Sequence, residues 1–181
     1  IGSACHLAWQ YAVSSDSSKG AIEYATANPT AFITYNSNKD DWNYTGSSST
    51  DNTRWTTSDS SKSIYDPCPV GWRVPDGGGN GVWLKALGSS SYIADYPYDS
   101  TNEGMNFSGK FGNATIIWYP ASGYRYYSGG SLYDVGSSGY YWSASPGLDN
   151  AFFLYFYCDG FVSPSISNFR AYGQSVRCLQ E

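Results

Sequence analysis

The fold is read most directly from Ala151-Phe152-Phe153-Leu154-Tyr155-Phe156-Tyr157. In an extended chain successive side chains point to opposite faces. Phe152, Leu154 and Phe156 therefore share one face, and Phe153, Tyr155 and Tyr157 share the other. Aromatic residues suit a pleated surface. Cys158-Asp159-Gly160 follows as a turn, and Phe161–Ser165 returns as the partner strand. A hairpin of this kind packs one face on the core and leaves the other to solvent. If Phe152, Leu154 and Phe156 face the core, Phe153, Tyr155 and Tyr157 point outward.

Working outward, the β pattern extends in both directions. Ala114–Tyr119, Ala121–Tyr127 and Gly139–Ser145 read as strands with Gly/Ser turns between them, and Gln174–Leu179 closes the chain as a last strand. Toward the N-terminus the pattern loosens. Val82–Leu87 is a short helix ended by Gly88, preceded by the glycine-rich turn Asp76–Gly81. Ile64–Pro75 holds Pro67, Pro69, Pro75 and Gly71, which fix rigid, irregular backbone. Residues 45–63 are Ser/Thr/Asp-rich loop, with Trp42 and Trp55 tucking the region onto the core. Ala31–Tyr35 reads as a strand and Ala21–Ala27 as a helix stopped by Asn28-Pro29. Short strands, one or two short helices and abundant ordered loop indicate an α+β fold. All of 1–181 is expected to form one domain.

Composition narrows the function. Of 181 residues 14% are charged, 41% hydrophobic and 18% aromatic, including 18 Tyr, 7 Trp and 8 Phe. Low charge with ample apolar content supports a buried core rather than disorder. No apolar run reaches the ~18–20 residues that span a bilayer, so no direct membrane span is expected. A net charge of −5 argues against a nucleic-acid partner, which demands clustered Lys and Arg. A single histidine, His6, removes His-rich zinc sites and disfavours a Ser-His-Asp triad.

There is no Gly-Lys-Ser/Thr of a phosphate loop, and Gly77–Gly81 reads as a turn. Asp51–Asp59 lacks the ligand spacing of a calcium loop. Asp40-Asp41 reads as a solvated pair rather than glycosidase carboxylates, and His6 beside Cys5 as structural rather than an activated thiolate. Three glycosylation sequons, at Asn43, Asn106 and Asn113, are short matches of little weight. No reaction centre emerges, so the chain is expected to be no enzyme and to need no metal or cofactor.

Four cysteines stand at Cys5, Cys68, Cys158 and Cys178. None makes a Cys-x-x-Cys pair, and four cysteines allow three complete pairings. An even count in a Lys-poor, aromatic, Ser/Asn/Gly-rich chain fits an extracytoplasmic protein. The chain begins at Ile1 without a basic or apolar leader, so any signal or membrane anchor is expected to lie upstream or to have been removed.

Residues 147–172 contain no Lys, Glu, Gln, Met or Trp, where the composition of the rest predicts about three. These five types are those that codons ending in a pyrimidine cannot encode. An AAY asparagine codon randomised at its two adenines yields the other fifteen and never these.

Asp66-Pro67-Cys68-Pro69-Val70-Gly71-Trp72-Arg73-Val74-Pro75, Gly123-Tyr124-Arg125, Tyr141-Trp142-Ser143-Ala144-Ser145 and Ser175-Val176-Arg177-Cys178 together resemble the FISUMP-type domain of bacterial surface proteins. The resemblance runs from about Ile64 to the end. It implies a C-type-lectin-like fold with short helices, small antiparallel sheets and much ordered loop. Within that group, residues 147–172 resemble the variable region of proteins diversified by diversity-generating retroelements, in which a reverse transcriptase rewrites template adenines and the altered residues form the ligand-binding face. The resemblance implies a fixed frame at Ala151, Leu154, Phe156, Val162, Pro164, Arg170 and Gly173. The positions free to vary, and so the expected ligand-binding residues, are Leu148, Asp149, Asn150, Phe153, Tyr155, Tyr157, Asp159, Phe161, Ser163, Ile166, Ser167, Asn168, Phe169 and Tyr172. Their Tyr/Phe and Ser/Asn/Asp content is that of a paratope: rigid aromatic anchors with adaptable polar neighbours.

The same resemblance implies a Cys68–Cys178 disulfide, a free thiol at Cys158 and an unpaired or structural Cys5. Glu-Pro-Asn, Gln-Pro-Asp and Trp-Asn-Asp, which hold calcium and sugar in lectins of this fold, are absent from the chain. The expected ligand is a variable protein or metal-independent glycan on another cell or host surface. The expected setting is a bacterial cell surface, a pilus tip or a phage tail. The competing readings are an oxidoreductase of the formylglycine-generating type using Cys158 and Cys178, and a structural surface domain without a specific ligand.

Overall fold

The hairpin foreseen around residue 158 is present, its two strands paired antiparallel. The computed structural model describes residues 6–8, 27–28, 30–32, 52–53, 55–56, 61–88, 96–108, 117–148 and 150–181. In chain order the elements are β1 (His6–Ala8), β2 (Trp72–Arg73), a 3-10 turn (Gly78–Asn80), α1 (Val82–Leu87), β3 (Tyr98–Asp99), β4 (Gly104–Asn106), β5 (Trp118–Pro120), β6 (Tyr124–Arg125), β7 (Leu132–Tyr133), β8 (Ser138–Pro146), β9 (Asn150–Tyr157), β10 (Val162–Phe169), β11 (Gly173–Ser175) and β12 (Leu179–Gln180). The described residues are thus sheet-rich with little helix. The expected helix at Ala21–Ala27 and strand at Ala31–Tyr35 lie largely outside them, as do Trp42, Asp40-Asp41 and Cys5.

The main sheet runs β10-β9-β8-β11-β6-β7, with β1 also paired to β11. β8, β9 and β10 form an antiparallel meander, whereas β11 lies parallel to β8. β3-β4-β5 and β12-β2 make two smaller sheets. The cross-strand pairs Tyr140–Tyr155, Trp142–Phe153 and Tyr141–Leu154 set which side chains share a face. Gly139 lies opposite Phe156, and a Cβ there would fall 2.1 Å from the Phe156 ring. Only glycine leaves room for that aromatic.

Both faces of this meander are covered over part of their length. On one side Leu154, Phe156, Val162 and Tyr141 pack with Trp83, Met105, Phe107 and Tyr119. Edge-to-face contacts link Phe107 to Tyr119 at 5.3 Å and Tyr119 to Tyr141 at 4.8 Å, arrangements that stabilise aromatics beyond simple burial. On the other side Phe153, Trp142, Ala144 and Ala151 pack with Trp55, Cys68 and Val74. Trp55 itself is buried in this cluster, as expected of it.

Six residues of α1 are too few for a helix to hold alone. The buried Trp83, whose indole N–H donates to the Tyr119 hydroxyl at 3.2 Å, holds it in place. Gly88, at φ +74°, ends it as foreseen, its N–H donating to the Leu84 carbonyl at 2.8 Å. Left-handed backbone of this kind favours glycine.

Two strands are shorter than the sequence suggested. The expected Ala121–Tyr127 strand contracts to β6, because the chain turns after Tyr126, where Gly130 N–H donates to the Tyr126 carbonyl at 2.8 Å. The expected Gln174–Leu179 strand divides between two sheets. β11 stays beside β8, and β12 crosses to pair with β2 of the Cys68 segment. Arg177 sits at the crossing, donating to the Trp118 carbonyl and lying over the Tyr119 ring at 4.5 Å.

Cys68 and Cys178 are disulfide-bonded, with Cα atoms 5.7 Å apart across a separation of 110 residues. Closing so long a loop contributes up to about 4–5 kcal/mol in the chain-entropy model. The segment it fastens is further held by Asp66, whose buried carboxylate accepts from Cys68 N–H at 2.8 Å and Val74 N–H at 2.9 Å. Lys62 places its ammonium 3.6 Å from that carboxylate and donates to the Cys68, Pro69 and Trp72 carbonyls. No helix among the described residues is long and apolar enough to cross a membrane.

Candidate ligand-binding face

The seven frame positions share one property: Ala151, Leu154, Phe156, Val162, Pro164, Arg170 and Gly173 are all buried. Arg170 is fully enclosed and acts as a clasp. Its guanidinium donates to the Asn150 carbonyl at 3.0 Å, the Gly147 carbonyl at 3.2 Å and Asn52 Oδ1. The turn before β9 is thereby tied to the end of β10.

The fourteen expected ligand-binding residues divide. Leu148, Tyr157, Asp159 and Ser167 are exposed, with Leu148 at 89% and Tyr157 at 40%. Asn150, Tyr155, Phe161, Ile166, Asn168, Phe169 and Tyr172 are half-buried. Phe153, expected to point outward, is 3% exposed, and Ser163 is 5% exposed. The reason lies in the second core. The outer face of β9 is exposed at Tyr157, half-covered at Tyr155 and closed at Phe153, which packs with Trp55 and Trp142, and Ser163 is the cross-strand partner of Tyr155. Asp149 falls outside the described residues.

A continuous run of rings emerges from the remainder. Phe161 contacts Tyr155 at 5.7 Å, Tyr155 contacts Tyr140 at 5.0 Å, and Tyr140 contacts Tyr124 at 4.9 Å. Tyr124 contacts Tyr172 at 5.4 Å, and Tyr172 stacks on Phe169 at 6.4 Å. Tyr126 and Tyr127 reach Tyr172 at 5.5 and 5.3 Å, and Tyr133 stacks on Tyr124 at 5.6 Å. The expected residues thus supply two ring pairs, Tyr155–Phe161 and Phe169–Tyr172, which Tyr140 and Tyr124 join into one surface.

Those bridging tyrosines, with Tyr126, Tyr127 and Tyr133, come from β6, β7, β8 and the turn after β6. Sequence reasoning missed them because they lie outside 147–172. The available signal was Tyr124-Arg125-Tyr126-Tyr127, an aromatic-dense run in a segment read as strand.

Three phenols of this surface, Tyr140, Tyr172 and Tyr124, are raised above their ordinary range. Burial and, second, the Asp134 carboxylate raise Tyr140 far above its ordinary range, and its hydroxyl donates to Asp134 Oδ2 at 2.8 Å. Tyr172 is pushed up to about 12, first by burial and then by its phenol neighbours Tyr126, Tyr124 and Tyr127. Tyr124 is raised by burial and then by Asp134.

Cys158 is a free, exposed thiol on the turn after β9, as expected. Cys178 is bonded to Cys68, so the Cys158/Cys178 pair of the oxidoreductase reading is not formed. No family model, curated protein or solved structure matches the chain.

Proposed function

We propose that the chain is a non-enzymatic ligand-binding module of the FISUMP type with a C-type-lectin-like fold. A diversity-generating retroelement rewrites its segment 147–172, and the module serves adhesion or recognition of a host or cell-surface protein or glycan. The observation that carries this reading is the interleaving of two sets of residues from β9 to the start of β11. A buried frame, Ala151, Leu154, Phe156, Val162, Pro164, Arg170 and Gly173, alternates with outer residues that join an aromatic surface. Burial fixes the register of a strand, while outer side chains change at small cost in stability. Tyr and Phe on such a surface bury much area with few rotatable bonds, which suits changing partners. The Cys68–Cys178 disulfide fits an oxidising compartment, in keeping with display on a bacterial surface, a pilus tip or a phage tail.

Sequencing the DNA beyond the codons for 147–172 tests the reading. It predicts a near-copy of these codons differing at adenines, close to a reverse transcriptase gene. A locus with neither repeat nor reverse transcriptase overturns the claim of diversification and leaves a structural surface domain.

A further inference from the structure

The aromatic run has a charge character of its own. The basic residues in β6 and beyond are Arg125, Arg170 and Arg177, and each is buried or half-buried and engaged elsewhere. Arg170 clasps the turn before β9. Arg177 lies over Tyr119 in the core. Arg125 donates to the Gly130 carbonyl at 2.8 Å and sits 6.0 Å from the Phe32 ring.

Acids, in contrast, rim the surface. Asp134 is exposed and bonded to Tyr140. Asp159 is exposed between Tyr157 and Phe161, its carboxylate accepting from Phe161 N–H at 2.8 Å. Glu103 brings its carboxylate against the 134–136 turn, where a Cβ on Gly136 would lie 3.0 Å from it. β8 begins at Ser138 and β9 ends at Tyr157, and these two residues are paired. The turns bearing Asp134 and Asp159 therefore leave the same end of the β8–β9 pair, the end nearer Tyr140 and Tyr155.

Neutral aromatic rings present a negative face that attracts cations, best where water is partly excluded. Carboxylates at the rim add a field of the same sign, and the chain as a whole carries −5, which steers positive partners toward the surface. A neutral sugar gains nothing from that field. Resting on the binding-face reading above, we propose that the surface formed by Tyr124, Tyr126, Tyr133, Tyr140, Tyr155 and Tyr172, with Asp134 and Asp159 at its rim, takes an arginine- or lysine-bearing segment of a partner protein. Because Tyr124, Tyr126, Tyr133, Tyr140 and Asp134 lie outside 147–172, their share of this preference for positive charge persists while Tyr155, Asp159 and Tyr172 vary.

The test uses fluorescein-labelled tetra-arginine and tetra-citrulline peptides, equal in shape and different in charge, followed by anisotropy against the intact oxidised protein. Tetra-arginine is expected to bind at least about tenfold more tightly, with an affinity that falls as salt rises. Tyr172→Leu, the more exposed Tyr133→Leu and the isosteric Asp134→Asn are each expected to weaken it by about two- to fivefold. Thermal melts confirm that the variants fold.

Equal binding of the two peptides overturns the inference, as does arginine binding indifferent to all three substitutions. Cellotetraose provides the sugar arm. If it binds, depends on Tyr172 and tetra-arginine does not bind, the surface is a binding face but the cationic inference is wrong. If no probe binds, the inference falls, while the DNA repeat still decides the function proposed above.

Discussion

Replacing Phe153 with alanine separates a core residue from a surface residue on the same side of one strand. Phe153 is 3% exposed, packs edge-on to Trp142 at 5.5 Å and belongs to the cluster containing Trp55, Val74 and Cys68. Truncating a phenylalanine so placed removes its transfer free energy and leaves a cavity, together about 3–5 kcal/mol. In a chain of this size each kcal/mol corresponds to roughly 2–4 °C in melting temperature. The expected fall is therefore about 6–20 °C. Tyr157→Ala, four residues along on the same face but 40% exposed, is expected to cost less than about 0.5 kcal/mol. Thermal unfolding of the oxidised protein followed by near-ultraviolet circular dichroism measures both. If Phe153→Ala melts within about 2 °C of the parent, like Tyr157→Ala, then Phe153 is a surface residue and the second core is wrongly drawn.

Three further outcomes are expected. Gly139→Ala forces a methyl into the Phe156 ring, 2.1 Å from the new Cβ, and is expected to cost about 1–3 kcal/mol in urea unfolding. Cys68→Ser with Cys178→Ser, which frees a loop of 110 residues, is expected to lower stability by about 2–5 kcal/mol; an unchanged unfolding midpoint contradicts the chain-entropy account. The phenol of Tyr172, raised to about 12, ionises less readily folded than unfolded. Its contribution to stability is therefore present below pH 10 and lost as pH rises from about 10 to 12. Absorbance near 295 nm is expected to show a late phenol titration that Tyr172→Phe removes.

The local features of the fold were legible where one short segment determined its own structure. Gly88 ends α1 because left-handed backbone is needed there, and the alternation in 151–157 gives β9 with Leu154 and Phe156 buried. Phe153 was misplaced because alternation says that two faces exist, not what lies on each. Its cover comes from Trp55 and Val74, far away in sequence. The division of the last strand depends on β12 meeting β2, a long-range pairing that no local pattern announces. The binding surface was half-legible for the same reason. Tyr155, Phe161, Phe169 and Tyr172 were found within one segment, whereas Tyr124 and Tyr140 join them only because β6 and β8 lie near β11 in the sheet.

The binding face rests on the division between a fixed buried frame and interchangeable outer residues. Two displayed libraries measure it, one randomising Tyr155, Tyr157, Phe161, Phe169 and Tyr172, the other Ala151, Leu154, Phe156, Val162 and Arg170, each scored by the fraction of members resisting protease. Most members of the first library are predicted to remain folded and nearly all of the second to be digested. Equal survival of the two would contradict the account.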